Sequence, residues 1–338
     1  MGIDLSSEVV QETLFRRQKT STNPLLQKQA RPKIVVVGSL HMDLTVKTER
    51  IPQIGETVLG KQFTMSPGGK GANQAVAAAK LGADVTLVGR VGGDMLGRKL
   101  IENANGKRID TSYIVEDREA ATGVALIIVD EKGNNVIAVA SGADMKCCPR
   151  DIDRAERIIK SSKVLSIQLE IPLHVVEYAI DKAFREEVKV ILNPSPAQQL
   201  PDDLLRKVHV LTPNETEAEV LSGRKVTSVR AARMIAEKIR ERGVENVIIT
   251  LGKNGAVVAT EEETVHVRGI DVNTVDATGA GDAFCGALAV AISSGKELKE
   301  AVMYSNCAGA LATTKIGAQE ALPKASELES FMRSRGLI

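Results

Sequence analysis

The residues best suited to chemistry lie in a glycine-rich turn before an alanine-rich stretch, VDATGAGDAF at residues 275–284. Gly279 and Gly281 let the backbone turn tightly and approach a ligand closely. The N–H groups at the start of the following helix would form a site for a phosphate or for developing negative charge. Asp282 stands beside this anion hole and could accept a hydroxyl proton during phosphoryl transfer. The alternative is a simple Asp cap after a glycine turn, and the companion motifs favour catalysis.

A second glycine-rich turn, SPGGKGANQ at residues 66–74, also precedes a predicted helix. It lacks the GxxxxGK[ST] pattern, so it does not predict a Walker A loop. Gly68 and Gly69 would let main chain meet a hydroxyl-rich ligand. Lys70 and Asn73 could donate hydrogen bonds to that ligand. Taken alone, the pattern is more often a glycine turn that caps a helix.

Two acidic residues follow predicted strands. Asp43 ends GSLHMD (38–43) after the apolar run KIVVVG, and Glu170 lies in QLEIP (168–172). Ligands bind at the carboxyl ends of strands in open α/β sheets. Asp43 could therefore accept two hydrogen bonds from sugar hydroxyls, although a turn-forming Asp gives the same local pattern.

Two further strand exits carry polar or glycine residues. In TPNETE (212–217), Asn214 and Glu217 are three apart and would share one helix face. Their oxygens suit a hydrated Mg²⁺ beside nucleotide phosphates, while a capping box would use the same two residues. The segment TLGKNG (250–255) could cover an adenine or a phosphate, or form only a hairpin turn.

Strands and helices that alternate from residue 33 onward position these segments. Helices are predicted at 71–81, 94–103, 151–160, 173–185, 202–206, 214–221, 228–241, 280–293, 297–313 and 325–334. Strands are predicted at 33–38, 57–65, 85–88, 124–129, 136–140, 163–168, 188–192, 208–212, 246–250, 256–260 and 265–267. This order predicts an α/β fold, a three-layer α/β/α sandwich whose central sheet is mostly parallel.

Two β segments, near 43–65 and 122–140, do not fit the alternation. We expect them to form a small sheet that projects from the edge as a lid. Residues 1–32 are polar and lack a secretory apolar core, which predicts a weakly ordered amino-terminal arm. Residues 33–338 would then form one catalytic domain, long enough to bury a large core.

Composition excludes several classes of partner. The 338 residues carry 44 basic and 43 acidic side chains, a net charge of +1 that gives no reason to expect nucleic acid or membrane as a partner. Aromatic residues are 2% with no Trp, which argues against base-stacking surfaces. No apolar run reaches the roughly 18 residues of a membrane span. The 4 cysteines lack CxxC spacing, which is typical of free thiols in a reducing cytosol, and we expect a cytoplasmic protein.

Taken together, these segments resemble the ribokinase-like (PfkB) sugar kinase family over about residues 33–335. DATGAGDAF at 276–284 is similar to the family's carboxyl-terminal signature, and GGKGANQAVAAAKLGA at 68–83 to its amino-terminal one. Within the family, the ribokinases are resembled most, through one combination of four segments: GGKGANQ at 68–74, QLE at 168–170, TPNETEAE at 212–219 and GAQ at 317–319. The resemblance implies transfer of the ATP γ-phosphate to the 5-hydroxyl of D-ribose, which gives D-ribose 5-phosphate and ADP.

The resemblance also implies a role for individual residues. Asp282 would be the catalytic base, beside an anion hole formed by Gly279, Ala280 and Gly281. The sugar would be bound by His41, Asp43, Gly69, Lys70, Asn73, Glu170 and Asp282. ATP with Mg²⁺ would be bound by Asn214, Glu217, Thr250, Gly252, Gly255, Gly281 and Asn306, with Glu217 meeting Mg²⁺ through water. A monovalent cation, expected to be K⁺, would be held by Asp276, Thr278, Ala312, Lys315, Gly317 and Ala321, largely through backbone carbonyls.

Three positions depart from the family pattern. His41 stands where an Asn commonly faces the sugar, which predicts weaker discrimination between ribose and 2-deoxyribose. Ala321 replaces a Ser that often helps the cation, which predicts a weaker cation site. Asn306 replaces a His common near the adenine. The resemblance further implies a homodimer in which two lids form a clasp.

Alternative functions remain open at this stage. One is a kinase of the same family that acts on 2-deoxyribose, fructose or a nucleoside. Another is a non-catalytic sugar-binding regulator, against which the intact Asp282 and anion hole argue. A nicotinamide oxidoreductase is disfavoured because no G-x-G-x-x-G follows the first strand.

Overall fold

The apolar run after residue 32 forms the first strand, β1 (Lys33–Val37), whose last four residues are buried. The protein is described here by a computed structural model, in which residues 31–338 are placed. The predicted arm therefore lies outside the described residues, apart from Arg31 and Pro32.

The described strands follow β1 in chain order. They are β2 (His41–Thr48), β3 (Gly60–Gly68), β4 (Asp84–Gly92), β5 (Asp110–Asp117), β6 (Gly123–Val129), β7 (Asn135–Ala140), β8 (Val164–Ile167), β9 (Lys189–Leu192), β10 (Val210–Leu211), β11 (Asn246–Thr250), β12 (Ala256–Ala259) and β13 (Thr264–Val267).

The described helices are α1 (Lys70–Lys80), α2 (Met95–Gly106), α3 (Pro149–Arg154), α4 (Glu156–Lys160), α5 (Leu173–Arg185), α6 (Asp202–Leu205), α7 (Glu215–Ser222), α8 (Val229–Arg240), α9 (Ala280–Ser293), α10 (Leu298–Ala312) and α11 (Ala325–Ser334). Two short 3₁₀ helices, Gly142–Lys146 and Gly252–Asn254, lie in the connections.

The main sheet has nine strands in the order β13-β12-β11-β10-β9-β8-β1-β4-β5. The pairs from β5 to β11 are parallel, whereas β12 pairs antiparallel with both of its neighbours, β11 and β13. Alternate residues of a strand face opposite sides of a sheet. In β1, Ile34 and Val36 join one buried cluster while Val35 and Val37 join the other. Helices thus cover both faces, and the predicted three-layer sandwich is confirmed.

The two segments outside the alternation form a second, four-stranded sheet in the order β3-β2-β6-β7. β2 is antiparallel to β3 and parallel to β6, while β6 and β7 form the predicted hairpin. Every residue of β7 is exposed, as are seven of the nine residues of β3. The second sheet is therefore buried over only part of its surface.

Three elements differ from the sequence prediction. β2 lies largely within the β segment expected near 43–65, but it was not predicted as a strand of its own. β5 (DTSYIVED) was not predicted because its acidic and hydroxyl residues obscure any apolar period, yet it pairs with β4 at the sheet edge. The predicted helix at 151–160 is instead two short helices that break at Ala155. The other predicted elements are present with shifted ends, such as β3, which extends to Gly68.

Two further findings concern the cysteines and the helices of the described region. All four cysteines are free, three of them buried. Across residues 31–338 no helix combines the length and the apolar character needed to cross a membrane.

Candidate active site

The site is built where α1 meets the end of β1. A Cβ atom at Gly71 would lie 2.6 Å from the carbonyl carbon of Gly38, so neither the helix nor the strand end tolerates a side chain there. Gly69 has a φ of 88°, and a Cβ atom on it would lie 2.7 Å from the backbone nitrogen of His41. The glycines of this turn therefore allow close approach between chains, which fixes Lys70 at the first position of α1.

Asp282 lies in the first turn of α9 and is 7% exposed. Its Oδ2 accepts a hydrogen bond from Nδ2 of Asn73 at 2.9 Å, and its Oδ1 accepts one from Nε2 of Gln74 at 3.3 Å. Burial raises the pKa of Asp282 to about 6, although the Lys70 charge and these hydrogen bonds oppose the rise. Such a carboxylate is ionised at neutral pH yet is a stronger base than an ordinary aspartate, as general-base catalysis requires.

The side-chain amides of Asn73 and Gln74, which donate to Asp282, each accept a hydrogen bond from another side-chain amide. Oε1 of Gln74 accepts from Nε2 of Gln168 at 2.7 Å, and Oδ1 of Asn73 accepts from Nε2 of Gln319 at 3.1 Å. Each amide can therefore present only its nitrogen to Asp282. This network fixes the orientation of the carboxylate before any ligand binds.

The predicted anion hole is the amino terminus of α9. Gly279 adopts a left-handed conformation with φ 75° just before Ala280, the first residue of the helix. A Cβ atom added to Gly281 would find no atom within 4 Å, so the space over this turn is open. The leading N–H groups of a helix have no partner within it and carry partial positive charge. An anion can thus approach the helix beside Asp282.

Two acids lie at the neighbouring strand ends. Oε2 of Glu170 accepts from the hydroxyl of Ser39 and from the backbone nitrogen of Lys70, the latter at 3.0 Å. The Asp43 carboxyl occupies the space that a side chain at Gly68 would need, with both oxygens 2.5 Å from its Cβ position. Burial raises the pKa of Asp43 to about 6. These acids and Lys70 form a polar edge beside Asp282.

A cavity of about 260 Å³ joins several of the motifs. Seven of the residues that line it were predicted from the sequence: Lys70, Asn214, Glu217, Thr250, Gly279, Gly281 and Asp282. A larger depression of about 800 Å³ lies at the amino-terminal ends of β9 and β11 and contains none of the motif residues. Because ligands bind at the carboxyl ends of strands in such sheets, the smaller cavity is the candidate active site.

Asn214 and Glu217, which were predicted to lie beside Mg²⁺, form a capping box, the alternative that their spacing also allowed. Asn214 Oδ1 accepts from the Glu217 backbone nitrogen at 2.9 Å, and Glu217 Oε2 accepts from the Asn214 backbone nitrogen at 2.8 Å. Both residues also line the cavity, so the cap fixes the side chains within the site. Burial raises the pKa of Glu217, although hydrogen bonds and Lys70 oppose the rise.

The predicted nucleotide-binding residues are only partly gathered at the cavity. Thr250 lines it, and Gly252, Gly255 and Asn306 do not. A Cβ atom at Gly255 would lie 2.2 Å from the carbonyl oxygen of Val267, so this glycine serves the hairpin after β11. Nδ2 of Asn306 donates to the same carbonyl at 3.4 Å, which ties α10 to the end of β13.

The predicted cation residues lie in two adjacent loops. Oδ1 of Asp276 accepts from the backbone nitrogen of Thr278 at 2.9 Å and from its hydroxyl at 2.7 Å. Oδ2 of Asp276 accepts from the backbone nitrogen of Gly317 at 2.9 Å. Burial favours a raised pKa, but these hydrogen bonds outweigh it and hold the pKa of Asp276 below its ordinary value. The carboxylate is therefore ionised and joins the two loops.

The other predicted cation residues lie at the end of α10 and in the segment after it. The carbonyl of Ala312 accepts from the Lys315 backbone nitrogen at 3.3 Å, and the Lys315 side chain pairs with Glu327 at 2.9 Å. Ala321 is fully buried. Among the described residues there is no group of three or more His, Cys, Asp or Glu side chains placed to hold a metal ion.

His41 differs from the expectation of an imidazole free to meet the sugar. Its side chain is 5% exposed, and its Nε2 lies 2.8 Å from Oδ2 of the wholly buried Asp144. This acid was not predicted from the sequence, because it follows β7, far along the chain from β2. One ring nitrogen of His41 is therefore already engaged, and a contact with the sugar remains a prediction.

Some residues of the site were not predicted from the sequence. Asn193 and Ser195 line the cavity just after β9, and Nδ2 of Asn193 donates to the Thr212 carbonyl at 3.1 Å. Their position after a predicted strand was the signal that could have identified them. Gln319 lay within the GAQ segment, but nothing in the local sequence shows that it reaches Asn73.

Comparisons with known proteins show the family to which the chain belongs. A family model described as pfkB family carbohydrate kinase matches residues 31–325. Ribokinase of Staphylococcus aureus (strain COL) is 38% identical over 298 residues, 88% of this chain and 98% of the relative. Deoxyribokinase of Salmonella typhi is 36% identical over 304 residues, 88% of this chain and 98% of the relative.

A solved structure shares the same architecture. The structure of Arabidopsis thaliana ribokinase complexed with ribose and ATP has a TM-score of 0.83 and 30% identity, and it covers 90% of this chain and 99% of its own. The similarity thus extends across the described fold and is not confined to the glycine-rich turns.

Proposed function

Since the chain belongs to the pfkB family of carbohydrate kinases and is an ATP-dependent sugar kinase, we propose that it phosphorylates D-ribose at the 5-hydroxyl to give D-ribose 5-phosphate and ADP. The observation that carries the proposal is the convergence of Asp282, the glycine start of α9 and Lys70 on one cavity. The relatives named ribokinase, and the ribose and ATP bound in the Arabidopsis structure, support this substrate.

The polar edge is suited to bind the sugar. Asp43 and Glu170 accept hydrogen bonds from sugar hydroxyls, and the Lys70 side chain donates to them. Ser39 and the Lys70 backbone already donate to Oε2 of Glu170, which leaves Oε1 to accept from a sugar hydroxyl. Because several polar groups must each be matched, this edge selects a polyhydroxylated substrate.

Asp282 is suited to be the base. It accepts the proton of the 5-hydroxyl while that oxygen forms a bond to the γ-phosphorus of ATP and the bond from phosphorus to the β,γ-bridging oxygen breaks. The N–H groups of Gly279 and Gly281 are suited to stabilise the charge on the transferred phosphoryl group, and that of Ala280 would join them by releasing the Ala277 carbonyl, to which it donates at 3.2 Å. Lys70 adds a positive charge within reach of both the acid and the phosphates.

The cavity fits Mg²⁺ bound chiefly to phosphate and water. Glu217 is the acid on the nucleotide side, and the described residues form no cage of several acids. Mg²⁺ commonly keeps several waters and meets one or two carboxylates beside substrate phosphates. When bound with ATP it would neutralise charge on the phosphates, while Asn214 keeps Glu217 oriented toward it.

The two loops joined by Asp276 fit a monovalent cation. The ionised Asp276 carboxylate lies next to the anion hole, and backbone carbonyls at Ala312 and Lys315 are close in the chain to its partner Gly317. We propose that K⁺ stabilises these loops, and hence the start of α9, in the conformation needed for catalysis.

The second sheet is suited both to cover the sugar and to join two subunits. Asp43 lies on β2, so movement of this sheet would carry an acid of the sugar site. Register places Met65, Leu44 and Leu126 in one row on one face. Phe63, Met65 and Leu126 expose 58%, 41% and 52% of their surface. Such an apolar face favours burial against a second copy, so we propose a homodimer through this lid.

2-Deoxyribose is a second candidate substrate. The deoxyribokinase relative is nearly as similar as the ribokinases, and His41 is engaged by Asp144 instead of being free for a hydroxyl. A site that leaves a sugar hydroxyl poorly paired discriminates weakly against the analogue that lacks it.

A panel assay tests the proposal. ADP release is measured with ribose, 2-deoxyribose, fructose and inosine, each with ATP and Mg²⁺, and Asp282→Asn serves as the inactive control. Ribose should give the highest kcat/KM and 2-deoxyribose the next. A higher kcat/KM for fructose or inosine would contradict the proposed substrate, and ligand binding without ADP release would favour the sugar-binding regulator.

A further inference from the structure

Two buried atoms that lack an aligned hydrogen-bond partner among residues 31–338 face each other at the base of the second sheet. They are Nε2 of His41 and Oδ2 of Asp144, 2.8 Å apart, on side chains that are 5% and 0% exposed. Oδ1 of Asp144 accepts from the backbone nitrogen of Leu40 at 2.9 Å. With no other partner for the facing atoms, attraction between opposite charges is what compensates their burial.

The surrounding backbone encloses this pair. His41 is the first residue of β2, and its register partner is Gly123 at the start of β6. A Cβ atom at Gly123 would lie 2.5 Å from Cδ2 of His41 and 2.6 Å from Oδ2 of Asp144. The glycine therefore makes room for the pair, while the β6 backbone covers it.

The charges around His41 are all negative. Asp144 follows β7, Glu170 follows β8, and Asp43 lies two residues away on the same face of β2. Burial lowers the pKa of His41, but these three acids outweigh burial and raise it above its ordinary value. The imidazole is thus the positive centre of a cluster of carboxylates.

Asp43 depends on that positive centre. Burial raises its pKa to about 6, Glu170 and Asp282 add to the rise, and the charge on His41 opposes it. An ionised carboxylate accepts hydrogen bonds at both oxygens, whereas a protonated one offers less acceptor capacity. Without the imidazolium, Asp43 would take up a proton closer to neutral pH.

We propose that Asp144 is a positioning residue that keeps His41 as an imidazolium, and that this cation keeps Asp43 ionised to bind sugar hydroxyls. The inference rests on the proposed function because it assigns Asp43 to the sugar. It adds a role for the Asp144–His41 pair in sugar affinity, because His41 affects binding through the charge of Asp43.

Kinetics test the pair through the KM for ribose. We compare wild type, Asp144→Asn, His41→Asn and the double variant His41→Asn/Asp144→Asn between pH 6 and 9. If the loss of the cation raises the pKa of Asp43 by about one unit from its value of about 6, each variant should raise KM about fivefold at pH 6 and about twofold at pH 7, and keep kcat within about twofold. Raising the pH to 9 should restore KM because Asp43 then ionises without help. Glu245→Gln is the matched control, because the exposed Glu245 pairs with half-buried His209 at 2.7 Å, away from the site.

The double variant separates an electrostatic role from a structural one. Two facing amides can hydrogen-bond without charge, so this variant should regain melting temperature lost by Asp144→Asn. It still lacks a cation beside Asp43, so its KM should keep the abnormal pH dependence. Recovery of both stability and the wild-type KM profile would overturn the inference.

Proton NMR of the histidines tests the pair without any turnover. The signal that His41→Asn removes belongs to His41, and we expect it to titrate above its ordinary pKa in wild type and at least about one unit lower in Asp144→Asn. A His41 that titrates equally in both proteins would overturn the inference. A wild type that fails to phosphorylate ribose, with this NMR shift present, would instead refute the proposed function.

Discussion

Replacement of Asp282 by Asn removes the proposed base and leaves the shape of the site almost unchanged. The amide cannot accept the proton of the 5-hydroxyl at physiological pH. General-base catalysis contributes about 10²–10⁴-fold, so kcat should fall by at least about 10²-fold. The KM for ribose should stay within a few-fold, because the acids of the polar edge remain.

The same substitution should not weaken the fold. The pKa of Asp282 rises from 3.8 to about 6 on folding, so its ionised form disfavours the folded state by about 3 kcal/mol above that pH. Asn removes this penalty. Its nitrogen would face Nε2 of Gln74, which now donates at 3.3 Å, and loss of that acceptor costs about 1–3 kcal/mol. The melting temperature should therefore be unchanged or slightly higher.

The assay measures kcat and KM by coupled ADP release and the melting temperature by calorimetry, with exposed Asp271→Asn as control. Low activity combined with full stability and normal ribose KM supports the assignment. Activity of Asp282→Asn within a few-fold of wild type would refute it, and loss of activity together with unfolding would show that Asp282 serves the fold.

Three further predictions concern pH, cation and assembly. The kcat for ribose should fall as the pH is lowered through about 6, because a base with a raised pKa is protonated below it, and a kcat unchanged from pH 7.5 to 5 would count against Asp282. When K⁺ replaces tetramethylammonium at equal ionic strength, kcat should rise more than the KM for the sugar changes. Asp276→Asn should reduce this rise in kcat. Equal rates in both salts would exclude a cation effect. Light scattering at micromolar concentration should show that the wild type is a dimer. Phe63→Glu, on the exposed face of the second sheet, should disrupt the dimer, and the control Phe184→Glu on α5 should not. A wild-type monomer would rule out the lid interface.

Much of the fold followed from local sequence signals. Glycine turns before alanine-rich stretches predicted the starts of α1 and α9 because glycine permits left-handed or close backbone and alanine favours helix. The extra β segments predicted a separate sheet because they broke the strand–helix alternation. β5 was missed, since a strand at the sheet edge can tolerate exposed acids that hide its apolar period.

The site was less predictable where it depends on contacts distant in sequence. Asn73 was selected as a sugar ligand, but its bond to Asp282 joins residues 209 positions apart. Asp144 was not selected at all, because nothing near it indicates that it packs against His41. Spacing also could not decide between a capping box and a metal-side pair at Asn214, and the structure shows that the cap and the cavity wall are the same residues.

The most direct test of the central claim is phosphorus NMR of the product formed from ribose, ATP and Mg²⁺. The account predicts one new phosphomonoester whose phosphorus couples to the C5 protons of ribose, formed in equal amount to ADP and absent with Asp282→Asn. Inorganic phosphate in place of a sugar phosphate, or phosphorus coupled to the C1 proton, would contradict it.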